Sequence, residues 1–341
     1  MLLDELAVPV VLAPLAGGPS TPELAAAVTQ AGGLGFLASG YLSADELAAR
    51  IRRLRELTPG PLAVNLFVPE AGPTPPSVYE PFLTRLTAWA QAAGVELGKP
   101  TYSDDDWEAK LELLRQQPAE VVSFTFGCPA SEVMRQLRAV GSECWVTVTN
   151  AQEARLAAEA GADGLIAQGA EAGGHRASFV DRPDVPVISL LPLLALIRDT
   201  VELPVIASGG LATGAGVAAV LAAGAAAAQV GTAFMLAPEA GTAAAHREAL
   251  RGDEPTVLTR AFTGRLARGI RNQFTAAHSD GAPLAYPEVH YVTVPMRRQA
   301  RVDGNPELIN LWAGEAHQLA VELPGAEIVR RLAADAEVAG P

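Results

Sequence analysis

Eight short apolar runs alternate with stretches of helix-forming composition, and this alternation constrains the fold more than any other feature of the chain. The runs are rich in Val, Ile, Leu and Phe, and they lie at 9–14, 34–39, 61–67, 121–127, 144–149, 164–169, 204–210 and 227–234. Their apolar residues are continuous, which is typical of parallel strands buried on both faces. The intervening stretch 43–57 opens with a capping box from Ser43 to Glu46, as a helix start does.

Strand and helix alternating in this way predict right-handed βαβ units. Eight such units by about residue 234 match the size of a (β/α)8 barrel, so the predicted fold is an α/β TIM barrel. A doubly wound open sheet is the main alternative, and the count of eight favours the barrel.

Two segments interrupt the alternation. Residues 68–120 form a long excursion that starts with PEAGPTPP, whose prolines exclude regular structure at that point. After residue 238 the strand pattern stops, and AGTAAAHREALRG and AFTGRLARGIRNQFTAAH have helical composition. We therefore predict a barrel domain over 1–240 and 306–341, with a helical substrate-side subdomain at 241–305 inserted after the eighth strand.

The charge balance limits the kinds of partner. The 341 residues are 49% hydrophobic, and 25 basic against 38 acidic residues give 25 − 38 = −13. Such a surface repels nucleic acid and anionic membranes, so we expect a small-molecule substrate instead. The uncharged stretch Ser208–Pro238 is long enough to cross a bilayer, but its Ala, Gly and turn signals favour a buried helix followed by a buried strand.

The cysteines indicate the compartment. Cys128 and Cys144 form no CxxC pair, so neither a disulfide framework nor a zinc site is supported, and no metal is predicted. A catalytic thiol at Cys128 is less favoured than a small buried side chain. The N-terminus lacks the basic region of a signal peptide, so we expect a cytoplasmic protein, as a monomer or a homodimer.

Glycine-rich strand ends predict a phosphate site. In a TIM barrel the active site lies at the C-terminal ends of the strands, and the loops after strands seven and eight often hold phosphate. Glycines let the backbone approach a phosphate closely, although glycines that merely form tight turns are the alternative. The candidate phosphate-binding residues are Gly209, Gly210, Gln229, Val230, Gly231 and Thr232.

The phosphate is expected to belong to a mononucleotide or a sugar phosphate. Gly33-Leu34-Gly35 precedes a strand, which is the wrong order for a dinucleotide fingerprint. Gly214-Ala215-Gly216 does follow a strand, but no acidic residue ends the next strand to hold a ribose. The amides of Asn65, inside the third run, and Gln168, at the end of the sixth, could bond a heterocycle or simply cap their strands.

His175 follows the sixth run on the predicted catalytic face. Gly173 and Gly174 precede it without side chains, so a planar ligand could lie against the backbone there. A histidine with its ordinary pKa of about 6.5 can take a proton at neutral pH, so His175 is the candidate catalytic base. Metal ligation is less favoured because only Glu171 lies near enough in sequence. Four further histidines are interpreted as ordinary surface or subdomain residues: His246, His278, His290 and His317.

Taken together, these segments resemble the nitronate monooxygenases, formerly called 2-nitropropane dioxygenases. The resemblance is strongest in AQGAEAGGHRAS, PVIASGG and QVGTAF, and it extends over most of the chain through APLAGG, VNLF, GRLARGIRN, AYPEVHYVTVPMRRQA and LWAGEAHQLA. The Gly-Gly-His stretch and the two glycine loops are shared with a sister family, the FMN-dependent enoyl-ACP reductases. Leu15 and Glu315 depart from the family pattern, which often has Met and Gln there.

The resemblance implies a TIM barrel that binds FMN noncovalently. It would place Asn65, Gln168 and Gly173 along the flavin ring, and Gly210 and 229–232 at the ribityl phosphate. His175 would remove the α-proton of a nitroalkane, the nitronate would give one electron to FMN, and dioxygen would complete the oxidation to a carbonyl compound and nitrite. Two alternatives stay open: an FMN-dependent NAD(P)H reductase of enoyl-ACP or quinones, and a non-redox barrel that binds a phosphorylated metabolite.

Overall fold

A closed barrel of eight parallel strands forms the centre of the computed structural model, which describes residues 1–339. The last two residues of the predicted range 306–341 lie outside that description. The barrel strands are β1 (Val10–Leu12), β2 (Gly35–Ala38), β3 (Leu62–Phe67), β4 (Val121–Thr125), β5 (Glu143–Val148), β6 (Gly164–Gln168), β8 (Val205–Ser208) and β9 (Ala227–Val230). All eight coincide with the apolar runs, which confirms the strand prediction.

Parallel pairing runs around the whole barrel. Neighbouring strands pair in the order β1-β9-β8-β6-β5-β4-β3-β2. The remaining gap between β1 and β2 is closed at Leu34, whose carbonyl accepts from the Leu12 N–H at 2.9 Å and whose N–H donates to the Val10 carbonyl at 3.0 Å. The predicted (β/α)8 barrel is therefore confirmed, and the open sheet is excluded.

Helices surround the barrel and cover its C-terminal end. They are α1 (Pro22–Gln30), α2 (Ala44–Leu57), α3 (Pro76–Ala93), α4 (Trp107–Gln116), α5 (Ser131–Ala139), α6 (Ala151–Ala160), α7 (Leu190–Arg198), α8 (Gly214–Ala222), α9 (Ala244–Arg251), α10 (Gln273–His278), α11 (Glu288–Val302) and α12 (Gly325–Ala339). The Ser43 capping box forms at the start of α2 as predicted. Within the uncharged stretch, α8 is followed by β9, and no helix among the described residues is long and apolar enough to cross a membrane.

A second, three-stranded antiparallel sheet lies outside the barrel. It consists of β10 (Thr256–Thr259), β11 (Ala267–Ile270) and the two-residue β7 (Gly174–His175). The expectation of helix throughout 261–278 is therefore wrong: only α10 forms there. Because Ala267–Ile270 bond to strands on both sides, tertiary pairing outweighs the local helix propensity. The division into a barrel and a substrate-side subdomain stays a prediction.

The interior of the barrel changes character along its axis. Alternate residues of each strand point inward, and those near the N-terminal end form a fully buried apolar cluster that includes Phe36, Trp145 and Ile166. Leu2, Leu3 and Leu6 of the N-terminal segment pack against this cluster. The inward residues at the C-terminal end are polar in six of the eight strands, which leaves that end available for a ligand.

Replacing Trp145 with Ala should lower the free energy of unfolding by about 3–5 kcal/mol, because a large buried side chain leaves a cavity in the barrel interior. Urea denaturation measures this loss. Leu156→Ala on α6 is the control, since Leu156 is 47% exposed and should cost little. Equal losses in the two variants would contradict the described packing of the barrel interior.

Candidate active site

A cavity of about 490 Å3 opens at the C-terminal end of the barrel. The polar inward residues of six strands line it: Asn65, Thr125, Thr147, Gln168, Ser208 and Gln229. Its volume lies within the range of ligand and cofactor sites. This location is where a TIM barrel carries its chemistry.

The structure brings the predicted site residues together around this cavity. All of them line it except Val230, whose side chain is buried in the apolar core instead. The other lining residues from the prediction are Asn65, Gln168, Gly173, Gly174, His175, Gly209, Gly210, Gln229, Gly231 and Thr232. Their roles toward a ligand stay predictions at this point.

Two inward amides have different hydrogen-bond partners. Asn65 donates from Nδ2 to the hydroxyls of Ser123 and Thr125, both at 2.9 Å. Gln168 donates from Nε2 to the His175 carbonyl at 3.0 Å and accepts from the Ala177 N–H at 2.9 Å. Both ends of the Gln168 amide therefore fix the loop that carries His175.

The two glycines before His175 serve different purposes. A Cβ atom on Gly173 would lie 2.5 Å from the backbone of Ala313 and Gly314, so this glycine permits close packing of two chain segments. Gly174 has a φ of +76°, which side chains rarely adopt, and a Cβ there would meet nothing within 4 Å. A side chain would therefore be blocked at Gly173, whereas the space beside Gly174 is open, and both glycines line the cavity.

The His175 ring lies among aromatic side chains at the edge of the cavity. Its centroid is 5.5–5.6 Å from those of Phe126, Tyr286 and Trp312, and its Nε2 is 2.9 Å from the Thr263 hydroxyl. Burial, reinforced by the positive charges of Arg265 and Arg297, lowers the pKa of His175 to about 3. The expectation of an ordinary pKa is wrong, because the protein packed around this half-buried ring disfavours its charged form, and the imidazole is neutral at pH 7.

Two further histidines line the cavity, which the sequence interpretation missed. His246 of α9 and His290 of α11 are both buried at the cavity wall, so neither is a surface residue, although both lie in the segment 241–305 predicted as the subdomain. Burial lowers the pKa of His246 to about 4 and that of His290 well below its usual value. A helical period in the sequence could have indicated this wall of the cavity. Four lining residues of α11, at 290, 294, 297 and 301, form one stripe along the helix.

Three arginines near the site pair with carboxylates. Arg265 pairs with Glu70 at 2.8 Å and also lies over the Phe126 ring. Arg268 pairs at 2.9 Å with Glu315, the residue that departs from the family pattern, and Arg271 pairs with Glu254 at 2.6 Å. Arg176, which directly follows His175, instead donates to the carbonyls of Gln168 and Thr149, so its side chain holds this loop against the ends of β5 and β6.

The candidate thiol Cys128 does not line the cavity. Burial raises the pKa of Cys128 to about 11, so the nucleophilic thiolate is scarce at neutral pH. This environment favours the small buried side chain over the catalytic thiol.

Comparisons with known proteins agree on one family. A family model described as nitronate monooxygenase matches residues 1–335. A nitronate monooxygenase of Pseudomonas aeruginosa is 41% identical over 336 residues, which cover 95% of each chain. A probable nitronate monooxygenase of Bacillus subtilis is 32% identical over 90% of this chain and 89% of its own length.

Two solved structures are similar over almost the whole chain. The nitroalkane oxidase of Streptomyces ansochromogenes has a TM-score of 0.96 and 47% identity, covering 99% of this chain and 98% of that one. FabK from Thermotoga maritima has a TM-score of 0.77 and 27% identity, covering 99% and 96%. Both similarities extend over the barrel and the segments that cover its mouth.

The half-buried, neutral His175 should make the protein less stable in acid. Its pKa is lower in the folded than in the unfolded chain, so the stability present above pH 6.5 is lost as the pH falls from about 6.5 toward 3. At pH 5 the loss from this one residue is on the order of 2 kcal/mol relative to pH 8. Urea denaturation at the two pH values should show a smaller loss for His175→Gln than for the original chain, and equal losses would contradict the assignment.

Proposed function

The chain belongs to the nitronate monooxygenase family of flavin-dependent oxidoreductases, and we propose that it uses FMN to oxidise alkyl nitronates, and nitroalkanes, with dioxygen. The products would be a carbonyl compound and nitrite. The observation that carries this proposal is the neutral imidazole of His175 at the wall of the cavity. The 47% identity to a nitroalkane oxidase supports the same substrate class.

The residues around the cavity fit FMN. Gln229 lines it, and its buried Nε2 has no hydrogen-bond partner among the described residues, so a ligand would supply one. Thr232 accepts from the Gly314 N–H at 3.0 Å, which leaves its hydroxyl hydrogen free to donate. We assign the phosphate to Gly209, Gly210, Gly231 and Thr232, and the ring to the side of Asn65 and Gln229.

FMN bound there would supply the redox chemistry by accepting one electron from the nitronate. The contribution of the chain is to hold the substrate away from bulk water and to accept its α-proton. The partners we propose are accordingly a small-molecule substrate and dioxygen, while the cytoplasmic location and the choice between monomer and homodimer stay predictions.

Thr263 determines which nitrogen of His175 can take the proton. Its hydroxyl lies 2.9 Å from His175 Nε2 and 3.2 Å from the Arg265 carbonyl, to which it donates. Because a threonine has one hydroxyl hydrogen, the histidine then donates from Nε2 and keeps a lone pair on Nδ1. We assign Nδ1 as the base on these grounds. The imidazolium formed by proton transfer is paired with the new nitronate anion, which offsets the cost of burying its charge.

FMN binding tests the cofactor assignment. The purified protein should show oxidised flavin absorption, or gain it on reconstitution. Gln229→Leu should raise the FMN dissociation constant by about tenfold, because one buried hydrogen bond is lost, as measured by flavin fluorescence titration. Gln299→Leu, on the exposed side of α11, is the matched control. A protein that binds no FMN would exclude the proposed chemistry, and rapid bleaching of the flavin by NADH would favour an enoyl-ACP or quinone reductase.

Removal of the proposed base should affect the turnover of two substrates differently. His175→Ala should lower the turnover of a neutral nitroalkane by about 10²- to 10⁴-fold, because no group accepts the α-proton, but should spare much of the turnover of the preformed nitronate. Oxygen consumption with each substrate measures both rates. His278→Ala is the control, since His278 does not line the cavity. Equal loss with both substrates would show that His175 is not simply the base.

A further inference from the structure

Arg297 is a buried cation at the cavity with no carboxylate partner among the described residues. We propose that Arg297 forms an anion subsite, in which its guanidinium binds the two oxygens of the nitronate group and, after the reaction, nitrite. This inference rests on the proposed function, because it names the part of the substrate that the site recognises.

The contacts of Arg297 leave part of its guanidinium unoccupied. The residue is 4% exposed, and it lines the cavity on the α11 stripe. Nε donates to the Thr293 hydroxyl at 3.0 Å, and Nη2 donates to the carbonyl and to Nδ1 of His290 at 2.8 and 3.3 Å. Nη1 has no hydrogen-bond partner in the described part of the chain. The side chain is therefore held in place from one side while donors on the other side are free.

Other cations at the site do not share this arrangement. Arg176 is also buried and has no carboxylate partner among the described residues, but it does not line the cavity. Arg265 and Arg268 are ion-paired with Glu70 and Glu315. Arg301 also lines the cavity and bonds to the Asn310 side chain at 2.8 Å, but it is less buried than Arg297. A buried charge without a counterion is unfavourable, so an anion that enters the cavity is attracted most strongly at Arg297. Burial lowers the pKa of Arg297 to about 9, and the group still carries its charge at pH 7.

The chemistry of the anion follows from the shape of the guanidinium. Nη1 keeps two free N–H groups in the guanidinium plane, and this fork can donate to two oxygens on one atom, as in a carboxylate, a nitronate or nitrite. The phosphate of FMN is assigned to the glycine loops after β8 and β9, which contain their own donors. Arg297 and His175 line the same cavity, so an anion bound at Arg297 shares that cavity with the base.

This arrangement would help a weak base to take a proton from carbon. When the α-C–H bond breaks, its proton goes to His175, its electron pair forms the C=N bond, and negative charge moves onto the two nitro oxygens. If the two nitro oxygens are bound at Arg297 as proposed, its positive charge stabilises the product of proton transfer. The carbon acid becomes stronger in the site, which offsets the lowered basicity of His175.

Nitrite binding tests the subsite. Sodium nitrite should perturb the flavin absorption of the FMN-loaded protein, raise its melting temperature relative to equal sodium chloride, and compete with the nitronate. Arg297→Met should raise the nitrite dissociation constant by at least about tenfold, and the KM for the nitronate by a similar factor. Arg298→Met, the exposed neighbour on α11, should leave both unchanged.

Several results would overturn the proposed anion subsite. Nitrite that binds Arg297→Met as tightly as the original chain, or that does not compete with the nitronate, overturns the subsite. Should Arg297→Met lack a cooperative unfolding transition, Arg297→Lys decides, since it keeps the charge but loses the fork: a severalfold weaker binding is expected, and unchanged binding overturns the proposal. The two proposals can fail separately. If the original chain oxidises no nitronate but binds nitrite, and the Arg297 variants lose that binding, the anion subsite is retained and the proposed function is rejected.

Discussion

The site depends on the two-residue period of the barrel strands. Inward positions near the N-terminal end are apolar and are closed off by Leu2, Leu3 and Leu6, whereas the inward position near the C-terminal end of most strands is polar. A buried polar group requires a hydrogen-bond partner. The polar layer at the C-terminal end is therefore stable only when neighbouring side chains, loops or a ligand supply those partners. Asn65 finds neighbours within the layer, while Gln229 is left with an unsatisfied amide nitrogen.

Exclusion of water is the second constraint. The segments after β9 cover the barrel mouth with aromatic rings and buried basic side chains, and this environment keeps three histidines neutral. The same burial makes each unpaired charge more effective, because the local dielectric constant is low. The same burial therefore lowers the basicity of His175 and strengthens the electrostatic effect of Arg297.

The sequence was informative wherever a local pattern determined the outcome. Eight continuous apolar runs were sufficient to predict the barrel, and the glycine loops and His175 at strand ends could be placed at one face from topology alone. Strand β11 could not be predicted, because its pairing depends on β7 and β10 rather than on its own composition. Likewise, the stripe of α11 indicates an amphipathic helix, but nothing local says that its polar members face a cavity. The pKa of His175 depends on side chains from distant segments, such as Phe126 and Arg297, that only the fold brings together.

The pairing of β7 with β11 has a mechanical consequence. His175 is in register with Ala267, and the Arg176 N–H donates to the Leu266 carbonyl at 2.7 Å, while Gln168 of the barrel holds the same loop from the other side. The backbone of His175 is thus held by the barrel on one side and by β11 on the other, so the position of the imidazole depends on both. A movement of β11 relative to the barrel would therefore move the His175 ring as well. The residues after β9 thus help to set the position of the proposed base, and with it the distance over which a proton would travel.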